Sequence, residues 1–223
     1  MFATYLDAPT RTRRRRGITR CDACALHTEA CLCGELPRLS TETRVVIVMH
    51  HAERRKASNT GRLAALALTE CEVRLRGRPL EAPRAALPNG RRLLLYPSPT
   101  ARVLTRAEHG GGPVVLLVPD GNWTQAQRAA RRDPDFEGAE HVALPEGPPT
   151  RYALRRGTRL GSVCTLEAIA RALGVLEGPA IQSALESVMD RFVERTLRLN
   201  GNKAELERLG FVDRALPRGA AGA

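Results

Sequence analysis

The sequence predicts an α/β fold, a mainly parallel sheet flanked by helices, carrying a small N-terminal zinc-binding segment. Three observations predict it. Short apolar runs alternate with stretches of helical periodicity through most of the chain. Two of those runs, RVVIVM at 44–49 and VVLLV at 114–118, are apolar at every or nearly every position, as strands buried on both faces are. Finally, four cysteines fall in two close pairs between Cys21 and Cys33.

At 223 residues the chain can bury one core of respectable size with a small appendage. Lys plus Arg total 35 against 24 acids, a net charge of +11 that is nearly all arginine and favours a polyanionic partner, nucleic acid first. The alternative is a composition simply rich in arginine. No apolar run has signal-peptide length, and none approaches the ~20 residues that span a bilayer. The expected location is cytoplasmic, without a membrane. In a reducing compartment clustered cysteines hold metal more readily than they form disulfides.

Residues 1–20 read as a disordered tail with a basic run at Arg11 and 13–16. Residues 21–40 form the zinc-binding segment. Cys21, Cys24, Cys31 and Cys33 supply four soft thiolates, which close a tetrahedral zinc shell and leave no open position for catalysis. His27 lies between the pairs and is the alternative ligand. The metal staples a segment too short to build its own core.

Residues 41–212 form the larger α/β unit, and 213–223 a second disordered tail. The strand at 44–49 runs into His50, His51 and the charged residues Glu53, Arg55 and Lys56. Asn59 or Thr60 then caps a helix containing Leu63, Leu66 and Ala67. The adjacent histidines lack the neighbouring ligand spacing of a metal site. CEVRLR at 71–76 alternates as a half-exposed edge strand does, and LLLY at 93–96 is another short strand, followed by a stiff Pro97-Ser98-Pro99 turn. Gly110 to Gly112 lack the lysine and spacing of a phosphate-binding loop, and no GxGxxG follows a strand.

The strand at 114–118 leads through Pro119 into a polar turn, Asp120-Gly121-Asn122, then Trp123, the chain's one tryptophan. A helix follows from Thr124, with Asn122 and Gln125 spaced as a capping box. The turn therefore sits at the carboxyl end of the sheet, where open α/β folds bind ligands. Asp120 either tightens this turn or does chemistry there. EHVAL at 140–144 reads as a further strand. Thr165 reads as the N-cap of a helix through Leu166, Ile169, Ala170 and Leu173, with Gly174 as its stop. Ile181, Leu185, Val188, Phe192 and Leu199 mark one face of a longer helix, and Leu206 and Leu209 a last short one.

Four pieces now line up: the CxxC…CxC cluster, Asn-Thr-Gly-Arg-Leu-Ala at 59–64, Asp120-Gly-Asn-Trp123, and Cys164-Thr165-Leu-Glu167-Ala168. In order and spacing they resemble the DTW-domain family of tRNA-uridine aminocarboxypropyltransferases, over roughly residues 21–192. Asn122 stands where the family signature has threonine, and both residues cap helices well. Cys164 stands where the later motif has serine. The resemblance implies a SPOUT-like, knotted fold that binds S-adenosylmethionine and transfers its 3-amino-3-carboxypropyl group to N3 of a tRNA uridine, releasing methylthioadenosine. It implies a donor site around Pro97, Ser98, Pro119, Asp120, Gly121, Thr165 and Leu166.

The chemistry asks for positioning above all. The sulfonium activates all three of its carbons, so the outcome depends on which carbon is held in line with the nucleophile. Uridine N3 must also lose a proton, and Asp120 is the expected general base. Trp123 walls the donor pocket or stacks on a base, with core packing as the alternative. Arg55, Lys56, Arg62, Arg128, Arg131, Arg132, Arg155 and Arg156 are the expected phosphate contacts, with solvated helix faces as the alternative. Two readings compete with the tRNA enzyme: a related transferase acting on ribosomal RNA or moving a methyl group, and a non-catalytic zinc-containing RNA-binding protein. No obligate protein partner is evident.

Overall fold

The computed structural model describes residues 19–77, 85–154 and 162–211. Arg155, Arg156, nearly all of the basic N-terminal tail and the C-terminal tail lie outside them. Six parallel strands form one sheet: β1 (Arg44–His50), β2 (Cys71–Arg76), β3 (Arg91–Leu95), β4 (Arg102–Val103), β5 (Val114–Asp120) and β6 (Glu140–Ala143). Their spatial order is β2-β1-β5-β3-β6-β4, with β2 an edge strand as its alternation predicts. The apolar runs β1 and β5 lie side by side in the centre, with Val45 opposite Leu116 and Met49 opposite Asp120.

Strand alternation divides the core between the two faces of the sheet. Val45, Ile47 and Met49 of β1 and Val114, Leu116 and Val118 of β5 face the larger core. That core also holds apolar residues of α1 (Gly61–Ala67), α3 (Thr165–Leu176) and α4 (Pro179–Leu199). Val46, Val48, Val115 and Leu117 face a smaller core with Ala129 of α2 (Trp123–Arg132) and Phe136. A short α5 (Lys203–Arg208) buries Leu206.

Several expectations need correction. β5 continues through Asp120, because the strand keeps its pairing with β1 to Met49. β4 was not anticipated: two residues after a proline turn carry no period, and only pairing with β6 makes them a strand. Gly174 does not stop α3, which runs on to Leu176. It lies where α3 and α4 approach, and a Cβ there would meet the side chain of Gln182 within 2.0 Å. Cys164, not Thr165, is the N-cap of α3, and it makes no side-chain cap bond. Its thiol points into the core, 3.7 Å from Met189 Sδ, so the cysteine departure falls on a core-facing side chain. Leu199, expected on the buried face of α4, is exposed.

The cysteine segment docks onto this framework. Cys24, Leu26 and Leu32 join the larger core. Arg195, buried on α4, donates to the carbonyls of Ala30 and Cys31 and to Glu35 Oε1, so the segment's backbone is held by a side chain from the main body.

Candidate active site and cysteine centre

Around the four cysteines the chain makes a tight knuckle. Cys21 accepts from the Ala25 amide and donates to Leu26, with Ala25 in the left-handed region. Cys21 and Cys33 sulfurs are 3.6 Å apart, Cys24 and Cys31 sulfurs 3.8 Å, and all four lie within 4.8 Å of one another. These are not disulfide distances. A tetrahedron of sulfurs about zinc has edges of about 3.8 Å for a metal–sulfur bond near 2.3 Å; two of the separations match this, and the set as a whole could close on one ion. Thiols this close cannot hold their protons independently. Hydrogen bonds from Cys24 and Cys33 hold Cys21 far below the usual thiol range, and the shared bonds to Cys21 and Cys24 push Cys33 above it. The Cys33 amide also donates to Cys31 Sγ. His27 turns away and accepts from the Glu29 amide. Among the described residues this is the one cluster of three or more metal-ligating groups, so His50 and His51, though stacked at 4.6 Å, form no such set.

The second site lies at the carboxyl end of the sheet. A cavity of about 620 Å³ opens there, within the range of small-molecule sites. Its walls come from the end of β3 (Leu95, Tyr96, Pro97), the end of β5 (Val118, Pro119, Gly121), the start of α2 (Trp123, Ala126), the last residue of β6 and residues 144–150 after it, and the start of α3 with Ser162, Thr165, Ala168 and Arg171. Trp123 opens α2 behind a complete capping box: Asn122 Oδ1 accepts from the Gln125 amide at 2.9 Å and Gln125 Oε1 from the Asn122 amide at 2.8 Å. The asparagine that departs from the signature thus does the threonine's capping work. Trp123 is 39% exposed, with the Tyr96 ring 6.4 Å away and tilted by 58°, so it is a wall and not core.

Asp120 is placed differently from the expectation. Counting by twos from Val114 puts it on the α3 face of β5, beneath the helix N-termini. It is 3% exposed. Its Oδ2 accepts from Asn59 Nδ2 at 2.6 Å and its Oδ1 from Thr165 Oγ1 at 2.5 Å. Pro119 and Gly121 line the cavity, whereas Asp120 does not. Gly61 lets the carboxylate in: a Cβ there would sit 3.0 Å from Oδ2. Asn59 turns its other atom to the Arg62 amide in the first turn of α1, while Thr60, the N-cap of that helix, turns its Oγ1 away to accept from the Leu166 amide at the start of α3. One carboxylate and its neighbours therefore bind three strand-to-helix loops together.

Of the other expected donor-site residues, Pro97 and Thr165 line the cavity. Ser98 instead pairs with His141 at 2.9 Å, and Leu166 is buried in the core. Arg55, Lys56, Arg128, Arg131 and Arg132 are solvent-facing. Arg62 is only 5% exposed and donates inward to the Arg54 carbonyl, so burial removes it from any phosphate-binding surface.

Sequence reasoning missed the loop after β6 and what holds it. Glu167, 2% exposed, accepts from Thr150 Oγ1, the Arg151 amide and Arg171 Nη2. Tyr152 then donates to the Ser58 carbonyl in the β1–α1 loop. The Pro-rich run at 145–149 after a strand was a readable sign of a stiff, functional loop. Arg171 gave none, since one arginine in an amphipathic helix reads as a solvated face.

Residues 18–197 match the DTW domain. The tRNA-uridine aminocarboxypropyltransferase 2 of Drosophila melanogaster is 29% identical over 177 residues, which cover 74% of this chain and 70% of that protein. The protein of the same name from Macaca fascicularis is 29% identical over 77% of this chain and 60% of its own length, so this chain spans less than two thirds of it. The tRNA-uridine aminocarboxypropyltransferase A of Arabidopsis thaliana is 28% identical over 86% and 85%. No solved structure matches the chain. With most of its length matched, and with the signature turn set in the wall of the cavity, the chain belongs to the DTW domain family.

Proposed function

We propose that this protein is a tRNA-uridine aminocarboxypropyltransferase, moving the 3-amino-3-carboxypropyl group of S-adenosylmethionine to N3 of a uridine and releasing methylthioadenosine. The observation that carries this reading is the place of the family signature: Pro119, Gly121 and Trp123 line the cavity, at the ligand-binding end of a parallel sheet. The donor is a co-substrate, and the cavity suits it: apolar walls from Leu95, Val118 and Leu144 for an adenosyl ring, and polar groups from α3 for the amino-acid end. Trp123 and Tyr96 form the aromatic side against which a flipped uracil stacks. Asp120 is a positioning residue in this proposal. Its hydrogen bonds fix Thr165 and the three loops, so that the γ-carbon and not the methyl is presented to N3. The proton on N3 leaves to solvent or tRNA.

The exposed face of α2, with Arg128, Arg131 and Arg132, begins at Trp123 and is the proposed track for tRNA phosphates, joined by Arg55 and Lys56. Affinity for tRNA is then expected to fall steeply with added salt. Zinc in the cysteine centre is structural, and the free thiols suit a reducing compartment such as the cytoplasm. No helix among the described residues is long and apolar enough to cross a membrane. A SPOUT-like knotted path is also part of the proposal. What supports it is the sheet order, in which β6 inserts between β3 and β4 and the chain then returns to α3 beside the end of β5.

The test is to incubate purified protein with unmodified tRNA transcript and S-adenosylmethionine, then analyse nucleosides by mass spectrometry. The expected result is an aminocarboxypropyl-uridine matched by an equal amount of methylthioadenosine. A methylated base with S-adenosylhomocysteine, or no modified base, contradicts the proposal.

A further inference from the structure

Within the cavity wall, Arg171 has a role that the signature motifs do not assign. It lies on α3 one turn after Glu167, and its side chain is largely buried. Nη2 spends both its N–H groups inside the protein, on Glu167 Oε1 at 2.9 Å and on the Pro148 carbonyl at 2.7 Å. The Nε–H is buried with no partner among the described residues. Nη1 lies beside Gly147, where a Cβ would come within 3.3 Å. Both Arg171 and Gly147 line the cavity. A guanidinium has five donors and no acceptor. One end of this one is clamped by a buried carboxylate and a carbonyl, while the rest stands over a glycine in a ligand cavity. Buried donors left unpartnered are rare, and among the first explanations is a ligand that pairs them.

We infer that Arg171 is the carboxylate anchor of the site: it binds the α-carboxylate of the amino-acid end of the donor, and Glu167 holds it ready to do so. This rests on the proposed transferase reading and sharpens it. Among the described residues that line the cavity, Arg171 is the one cation, and the amino-acid end carries the one carboxylate of the donor. The anchored end is also the part that is transferred. Holding it fixes the γ-carbon relative to the incoming base, which a methyltransferase would not require. The clamp serves a second purpose, since the same two side chains tie residues 148–151 down as the cavity's roof.

The experiment is calorimetric titration of the full-length protein with three probes: S-adenosylmethionine, its decarboxylated form and methylthioadenosine. Decarboxylation removes the carboxylate and keeps the sulfonium and the amine. Wild-type protein is expected to bind S-adenosylmethionine about 10- to 100-fold more tightly than the decarboxylated form, the worth of a charge-assisted hydrogen bond. Arg171→Met is expected to erase that ratio while leaving methylthioadenosine affinity within about twofold, and Arg171→Lys to restore part of it. Equal binding of the two sulfonium probes by wild-type protein overturns the assignment, and needs no variant to fold. So does an Arg171→Met protein whose affinities for all three probes fall together, which marks a purely structural clamp. Failure of the wild-type protein to bind any of the three, with tRNA present, overturns the transferase reading itself and the assignment with it.

Discussion

The cysteine segment and the carboxyl end of the sheet face the same physical problem and meet it differently. Both are made of irregular backbone that must be held in one arrangement. In the segment, from Arg20 to Glu35, the regular structure is two single 3-10 turns and one isolated bridge. Four sulfurs lie there within 4.8 Å of one another, a set that the proposed zinc would tie together, with Arg195 reaching in from α4. At the sheet's end a large core already exists, and two buried carboxylates gather the loops: Asp120 through Asn59 and Thr165, Glu167 through Thr150, Arg151 and Arg171. A metal site gives stiffness where there is little apolar surface to bury, and it blocks ligand binding by closing its shell. Carboxylates that collect backbone and side-chain donors give stiffness next to a cavity and leave the cavity open.

The largest effect is expected from breaking the metal side. Cys24→Ser replaces a buried thiol of the proposed zinc site. Bound zinc, measured by elemental analysis, should be lost, and the melting temperature should fall by roughly 10 °C, several kcal/mol for a domain of this size. Retention of zinc with unchanged melting would show that the segment is held by packing alone. Next comes Asp120→Ala, which leaves the Asn59 amide and the Thr165 hydroxyl without their acceptor in a buried place. Urea unfolding should register a loss of about 2–5 kcal/mol. A loss under about 0.5 kcal/mol is what a residue outside any such tie would give. Asn122→Ala, which removes the capping box of α2, should cost about 1 kcal/mol, and Asn122→Thr only a few tenths.

The smallest effect lies away from both regions, at the edge of the sheet. Arg91, and then Arg102, hold the Glu140 carboxyl down at about 2, below the usual 4.5. A depressed carboxyl stabilises the fold at pH values above its ordinary range, and that contribution disappears as pH falls toward 2. Glu140 is 44% exposed, so solvent screening keeps the contribution under about 1 kcal/mol. Comparing acid unfolding of the wild-type protein and Glu140→Gln should give curves that differ at neutral pH and converge near pH 2, with a smaller gap in high salt.

Much of this was readable from residue order. The strands β1 and β5 announced themselves as doubly apolar runs, and the Asn122–Gln125 pair as a capping box, because those signals are local. Signals that depend on a distant partner were not readable. Thr165 looked like a cap because threonine caps helices, but its hydroxyl is taken by Asp120 at the end of β5. Gly174 looked like a stop, but it marks the approach of Gln182. Arg62 looked like a surface charge, but it donates to a neighbouring loop carbonyl. Asp120 itself was legible in part. Its place at a strand end was visible, and the period of two along β5 already puts it on the helix-covered face; its partners Asn59 and Thr165 were not visible.

The most direct test of whether that carboxylate positions or reacts is the pH–rate profile of Asp120→Asn, measured with tRNA and S-adenosylmethionine alongside its melting temperature. A positioning role predicts a slower and less stable enzyme whose rate depends on pH as the wild type's does. An acidic limb that vanishes while the melting temperature stays unchanged would contradict it and make Asp120 the base.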